Sequence, residues 1–166
     1  MRCPAGWAWA RDAMRLRLRH VTAADEALLL TWANDPDVRS VARNTSLIAP
    51  EDHHIWFERK LADPMSRIWL AELDSEPVGQ TRLDRVADTA EVDISVVRAA
   101  RGKGVGRFML SAPEVLRWPG LRRLRAVVWR RNMASQALFR GAGFKLARAD
   151  TDFVEFEKEI GDVAAC

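Results

Sequence analysis

Charged and apolar residues alternate in Arg15-Leu16-Arg17-Leu18-Arg19, a period of two that predicts a half-buried strand. Thr22-Ala23-Ala24-Asp25 then reads as a helix start with Thr22 as its cap, and Leu28, Leu29 and Trp32 follow at helical spacing. Asn34-Asp35-Pro36-Asp37 ends that helix and opens a short one. Ala49-Pro50-Glu51-Asp52 starts another, with proline and acids in its first turn and His53, Trp56, Phe57 and Lys60 along one face. Strands are expected at 67–73, 78–84 and 91–97, joined by Asp74-Ser75-Glu76-Pro77 and a turn around Ala87-Asp88-Thr89, which makes a meander.

A helix with Val105, Phe108, Met109 and Ala112 on its apolar face is expected from about 104 to 116, kinked or stopped early by Pro113. Trp118-Pro119-Gly120 breaks the pattern before a strand at 124–129. Asn132 caps a last helix running to Arg140, Gly141-Ala142-Gly143 terminates it, and two strands lie within 144–149 and 153–158. On that helix Ala134, Ala137, Leu138 and Gly141 are expected to face the sheet, and Asn132, Ser135 and Phe139 form a second stripe. The order of elements predicts an α+β protein, a mixed α/β sandwich with helices on both faces of one sheet.

At 166 residues and 48% hydrophobic content, the chain is long enough for one domain with a proper core. We place that domain at 14–160, with 1–13 as an extension and 161–166 as a tail. No apolar run approaches the roughly 20 residues that cross a bilayer, and the first thirteen do not make a signal peptide. A soluble, cytoplasmic protein without a membrane partner is the expectation. Cys3 and Cys166 have no spacing pattern, and His53 and His54 point about 100° apart on a helix, so no metal is expected. The net charge of +3 suits an anionic cofactor or substrate, and the scattered arginines do not form a nucleic-acid footprint.

The segment 96–107, Val-Val-Arg-Ala-Ala-Arg-Gly-Lys-Gly-Val-Gly-Arg, runs from a strand through a glycine-rich basic turn into a helix. Such a turn aims several N–H groups and a helix dipole at one spot and suits a phosphate. Its spacing excludes the triphosphate P-loop, because no Ser or Thr follows Lys103, and it excludes the Gly-x-Gly-x-x-Gly dinucleotide fingerprint. Arg-x-x-Gly-x-Gly from Arg101 to Gly106 does fit, and it resembles the acetyl-coenzyme-A signature of the GNAT superfamily of N-acetyltransferases. The string from Asn132 to Phe144 is similar to the closing motif of the same family, Asn-x-x-Ser/Ala-x-x-Leu-Tyr/Phe-x-x-x-Gly-Phe.

The resemblance implies a GNAT-like fold with a mostly antiparallel central sheet, and acetyl-CoA as acetyl donor. It implies that Val96 and Val97 offer main-chain groups to pantetheine. Arg101, Gly102, Lys103, Gly104, Val105, Gly106 and Arg107 would hold the pyrophosphate, while Asn132, Ser135 and Phe139 contact the arm and nucleotide. The implied reaction is direct attack of a primary amine on the thioester, with a backbone N–H near Val96 or Val97 stabilising the oxyanion. Many relatives have a tyrosine at the position of Phe139 to protonate the leaving thiolate, and this chain contains no tyrosine. Either solvent protonates the thiolate, or Ser135 relays a proton, or the thiolate leaves unassisted. Glu91, Asp93 and Ser95 share one side of a strand, which makes Asp93 or Glu91 the expected proton acceptor.

The stretches 31–39 and 49–57 are similar to a GNAT subgroup that acetylates amino sugars, including the 4-amino group of a UDP-linked sugar in pseudaminic acid synthesis. Trp32, Arg39, His53 and Trp56 are the expected acceptor contacts, with the tryptophans stacking on a ring and Arg39 pairing with a phosphate. Core packing is the competing role for both tryptophans. The alternative functions are a peptide or ribosomal-protein N-terminal acetyltransferase and a non-catalytic acyl-CoA-binding module. A homodimer is common among similar proteins.

Overall fold

The computed structural model describes residues 16–161, so the expected extension at 1–13 and most of the expected tail lie outside the described residues. Seven strands form one sheet in the order β1-β2-β3-β4-β5-β7-β6. These are β1 Leu16–His20, β2 Ser66–Leu73, β3 Glu76–Val86, β4 Thr89–Val96, β5 Arg123–Trp129, β6 Lys145–Ala149 and β7 Phe153–Glu159. Every neighbouring pair is antiparallel except β4 with β5. Among the described residues, six α-helices pack around the sheet: α1 Glu26–Ala33, α2 Pro36–Ser40, α3 Pro50–Ala62, α4 Val105–Ser111, α5 Pro113–Leu116 and α6 Met133–Gly141. The sheet has helices on both faces, as the order of sequence patterns predicts, and is mostly antiparallel, as the family resemblance implies.

Local chemistry accounts for several boundaries. Asp35 caps α2 by accepting from the Asp37 N–H at 2.8 Å, with Pro36 in the first turn. Pro113 splits the expected single helix into α4 and α5, since Ala112 before it is extended at φ −65°, ψ 131°. Asp25 is buried below α1, where its carboxylate takes two bonds from Arg19 at 2.8 Å and one from the Thr22 N–H at 2.8 Å.

The sheet divides the core. One face carries Leu83, Ala90, Val92, Leu124, Ala126, Val128, Val154 and Phe156, covered by Leu110, Val115 and Phe139 from α4, α5 and α6. On the other face Ile68 and Leu70 meet Leu29 and Phe57 from α1 and α3, with Trp32 and Trp56 packed at the margin. The α6 face differs from the expected one. Ala134, Ala137 and Gly141 are exposed, whereas Gln136 and Phe139 are buried. Phe139 wins the inward position because its ring meets Phe144 edge-on at 5.0 Å and stacks near Phe156 at 6.3 Å, burying far more apolar surface than an alanine. Leu138 turns instead toward α4, where a Cβ on Gly106 would lie 3.0 Å from its methyl carbons.

Candidate active site

The parallel join between β4 and β5 is short. Thr89, Ala90 and Glu91 pair with Arg123, Leu124 and Arg125, after which the strands part, although β4 continues to Val96 and β5 to Trp129. The diverging ends open a gap in the middle of the sheet. Main-chain groups of successive residues in a strand alternate between its two neighbours. Val97 donates to Val78 O at 2.9 Å on the β3 side, so the N–H of Val96 turns toward the gap. Of the two expected main-chain donors, Val97 is therefore committed to β3 and Val96 is not.

A cavity of about 630 Å³ lies at this gap. Its walls include Glu91, Asp93 and Ser95 from β4, Val127 and Trp129 from β5, and Asn132, Ser135 and Phe139 from α6. The expected acceptor contacts Trp32, Arg39, His53 and Trp56 line the same cavity. Segment 36–48 crosses from one rim of the gap to the other. Its Asp37 pairs with Arg98 at 2.7 Å and with Arg101 at 2.8 Å beyond the end of β4. On the opposite rim, Ser40 O accepts from Arg131 at 3.0 Å and Arg43 lies 5.5 Å from the centre of the Phe153 ring.

The glycine turn sits outside this cavity and beside its β4 rim. Gly102 and Gly104 have φ of +75° and +81°, left-handed conformations that side chains with a Cβ rarely adopt. Among the described residues, the N–H groups of Gly104, Val105, Gly106 and Arg107 have no acceptor. They are the open first turn of α4, as expected of an oxyanion cradle. The side chains of Lys103 and Arg107 have no carboxylate partner among the described residues, whereas Arg101 is held by Asp37 and by Val96 O at 3.1 Å. Arg101 thus ties the end of β4 to α2 and does not reach out alone toward a phosphate.

At the start of α6, Asn132 Oδ1 accepts from the Ser135 N–H at 3.0 Å, which fixes the helix end and leaves the Ser135 hydroxyl at the cavity wall. Phe139 is both core and lining, with 3% of its surface exposed. The two candidate bases have different surroundings. Glu91 is engaged by Arg125 at 2.8 Å, while Asp93 accepts from Gln80 at 2.8 Å and has Arg82 at 3.9 Å. His53 is buried against Trp56 and Phe57, and burial lowers its pKa despite Glu26 nearby, so the imidazole is neutral.

Sequence reasoning missed Asp37, Arg43, Gln80, Arg82, Arg98, Trp129 and Arg131. Their roles depend on segment 36–48 crossing the gap, which leaves no local motif, and on Gln80 and Arg82 of β3 meeting Asp93, a side-chain pairing that the expected meander allows without singling it out.

Residues 15–145 match the Acetyltransferase (GNAT) domain family. The Bacillus subtilis (strain 168) protein named "Putative phosphinothricin acetyltransferase YwnH" is 34% identical over 130 residues, covering 72% of this chain and 77% of that protein. An acetyltransferase structure from Thermus thermophilus has a TM-score of 0.75 at 26% identity, covering 88% of this chain and 97% of that one. Spermidine N-acetyltransferase from Vibrio cholerae, in complex with CoA and spermine, has a TM-score of 0.77 at 16% identity, covering 87% of this chain and 95% of that one. With the fold, the glycine turn and the Asn132 helix all in their places, the chain belongs to the GNAT family and is an acetyl-CoA-dependent N-acetyltransferase.

Proposed function

We propose that this enzyme acetylates the primary amine of a small, polar molecule, with the reaction centred at the gap between β4 and β5 and with Asp93 as the proton acceptor. The observation that carries this reading is the turn of the Val96 N–H away from β3 toward the gap between β4 and β5, beside a cavity that Asp93 and Ser95 line. In the proposed reaction the neutral amine nitrogen forms a bond to the thioester carbon. The Val96 N–H donates to the carbonyl oxygen as it gains negative charge. Asp93 takes the amine's proton, directly or through water. The carbon–sulfur bond then breaks, and the thiolate is protonated by solvent or through the Ser135 hydroxyl.

Acetyl-CoA fits the residues present. The unpaired N–H groups of 104–107 and the unneutralised Lys103 and Arg107 would receive the pyrophosphate, while Asn132 and Ser135 border the path of the pantetheine arm. For the acceptor, a nucleotide-linked amino sugar is supported by Trp32, Trp56 and Arg39 lining the same cavity, residue types suited to rings and a phosphate. A protein N terminus is a poorer fit, because segment 36–48 is tied to both rims where a peptide would need an open groove. No metal enters this scheme, and a homodimer is compatible with it.

The test is thiol release from acetyl-CoA with a UDP-linked amino sugar, phosphinothricin, spermidine and short peptides as acceptors. The proposal predicts turnover with at least one of the small amines and none with peptides. Turnover with peptides alone, or none with any amine, contradicts it.

A further inference from the structure

Arg82 of β3 and Asp93 of β4 stand directly opposite each other in the sheet, and both line the cavity. The arginine is largely buried, with 22% of its side chain exposed, and its guanidinium lies 5.2 Å from the centre of the Trp56 ring. Opposite charges in this register ordinarily close into a direct ion pair. Here they do not: Arg82 Nη2 stays 3.9 Å from Asp93 Oδ2, beyond hydrogen-bonding distance. Arg82 Nε donates instead to Asp84 Oδ2 at 2.8 Å. Asp84 is fixed in turn, because its Oδ1 accepts from Lys60 of α3 at 2.6 Å and from Ser66 of β2 at 2.8 Å. Asp84, Lys60 and Ser66 lie outside the cavity wall.

The two oxygens of Asp93 therefore differ. Oδ1 accepts from Gln80 Nε2 at 2.8 Å, whereas Oδ2 has no hydrogen-bond donor among the described residues. A carboxylate that takes a proton from a substrate needs an open lone pair held in a fixed direction. Gln80 fixes the group, and Oδ2 is the open atom. A swing of about 1 Å would bring Arg82 Nη2 to charge-assisted hydrogen-bonding distance and cover that oxygen. A guanidinium is always charged, so it is a competing anion that holds it back. We propose that Asp84 is a positioning residue for the reaction: it holds Arg82 off Asp93, so that Oδ2 stays open to the amine's proton. The amine N–H bond breaks as the Oδ2–H bond forms, its electron pair staying on nitrogen. This rests on the reading of Asp93 as proton acceptor given above.

The test is thiol release from acetyl-CoA with phosphinothricin, spermidine and a UDP-linked amino sugar, taking kcat with the fastest of them. Asp84→Asn is expected to lower kcat about tenfold, part of what a general base supplies, with KM for acetyl-CoA unchanged. Its melting temperature should still rise with acetyl-CoA. In an Asp93→Asn background the same change should cost less than about twofold, since no carboxylate is left to cover. Adding Arg82→Met to Asp84→Asn should raise kcat again by about threefold or more, whereas a purely structural network loses more with each member removed. A crystal structure of Asp84→Asn should show Arg82 within about 3 Å of an Asp93 oxygen. Equal losses from Asp84→Asn in both backgrounds overturn the proposal, as does a further fall in kcat on adding Arg82→Met. A slow Asp93→Asn beside an unaffected Asp84→Asn overturns this inference alone. Wild-type turnover in Asp93→Asn, or no turnover with any of the three amines, overturns the underlying reading and this inference with it. If Asp84→Asn does not fold, a crystal structure of the unaltered enzyme with CoA decides: Arg82 bonded to Asp84 and not to Asp93 supports the proposal, and a direct Arg82–Asp93 hydrogen bond overturns it.

Discussion

Asp37 on α2 accepts from Arg101 at 2.8 Å, and Arg101 donates in turn to Val96 O at 3.1 Å, so the segment covering the acceptor cavity is tied to the strand end that bears the proposed oxyanion donor. Asp37→Asn is expected to raise KM for both substrates several-fold with a smaller change in kcat, because a looser segment beside both sites weakens ground-state and transition-state binding alike. Thermal stability should barely move, since the ion pair is solvent-exposed. Hydrogen bonds from Arg101 and Arg98 hold the Asp37 carboxyl below the usual carboxylate range. The latch is therefore intact above that range and opens only as pH falls through the depressed value, so steady-state KM should be flat through neutral pH on this account.

Gly104 separates conformational from steric effects. Nothing lies within 4 Å of where its Cβ would be, yet its φ is +81°. Gly104→Val should cost roughly 1–2 kcal/mol from the left-handed conformation and abolish the rise in melting temperature with acetyl-CoA. Gly104→Asn, which tolerates that conformation, should keep most of the stability and part of the acetyl-CoA response. Equal losses in both variants, read by thermal shift, would contradict a conformational role.

The two carboxylates of β4 can be told apart by kinetics. Asp93→Asn is expected to lower kcat by about 100-fold and remove the acidic limb of the pH–rate profile, the size of effect typical of a lost general base. Glu91→Gln should leave that limb in place, because Glu91 is engaged by Arg125. If Asp93→Asn keeps a wild-type profile, another group accepts the proton.

Much of the architecture follows from local pattern. Alternation marks the strands, Pro36 and Pro50 mark helix starts, Pro113 marks a break, and the glycine turn with the Asn132 cap marks the donor side, because each is set by residues near in sequence. The face of α6 was not legible, since small residues at helical spacing say nothing about which side a neighbouring Phe139 will claim. On the acceptor side, Trp32, Arg39, His53 and Trp56 were legible as cavity residues, and the rest was not. Arg43 and Trp129 are far apart in the chain and meet across Phe153 only when segment 36–48 spans the gap.

Asp25 provides a test of the fold's electrostatics away from the site. Hydrogen bonds from Arg19 and Thr22 lower its pKa from 3.8 to about 2, against the opposing effect of burial. Because the folded value is depressed, its stabilisation is fully present above about pH 4 and lost as pH falls toward 2. Asp25→Asn should cost roughly 2 kcal/mol at neutral pH and little near pH 2, measured by denaturant unfolding at both values. An equal cost at both would show that the charge is not what stabilises this corner.

The central claim is that the gap between β4 and β5 is where the acetyl group is held. A crystal structure with acetyl-CoA tests it most directly. The account predicts the thioester oxygen within hydrogen-bonding distance of Val96 N and the pyrophosphate on the N–H groups of 104–107. A thioester elsewhere on the protein, or a pyrophosphate away from that turn, would contradict it.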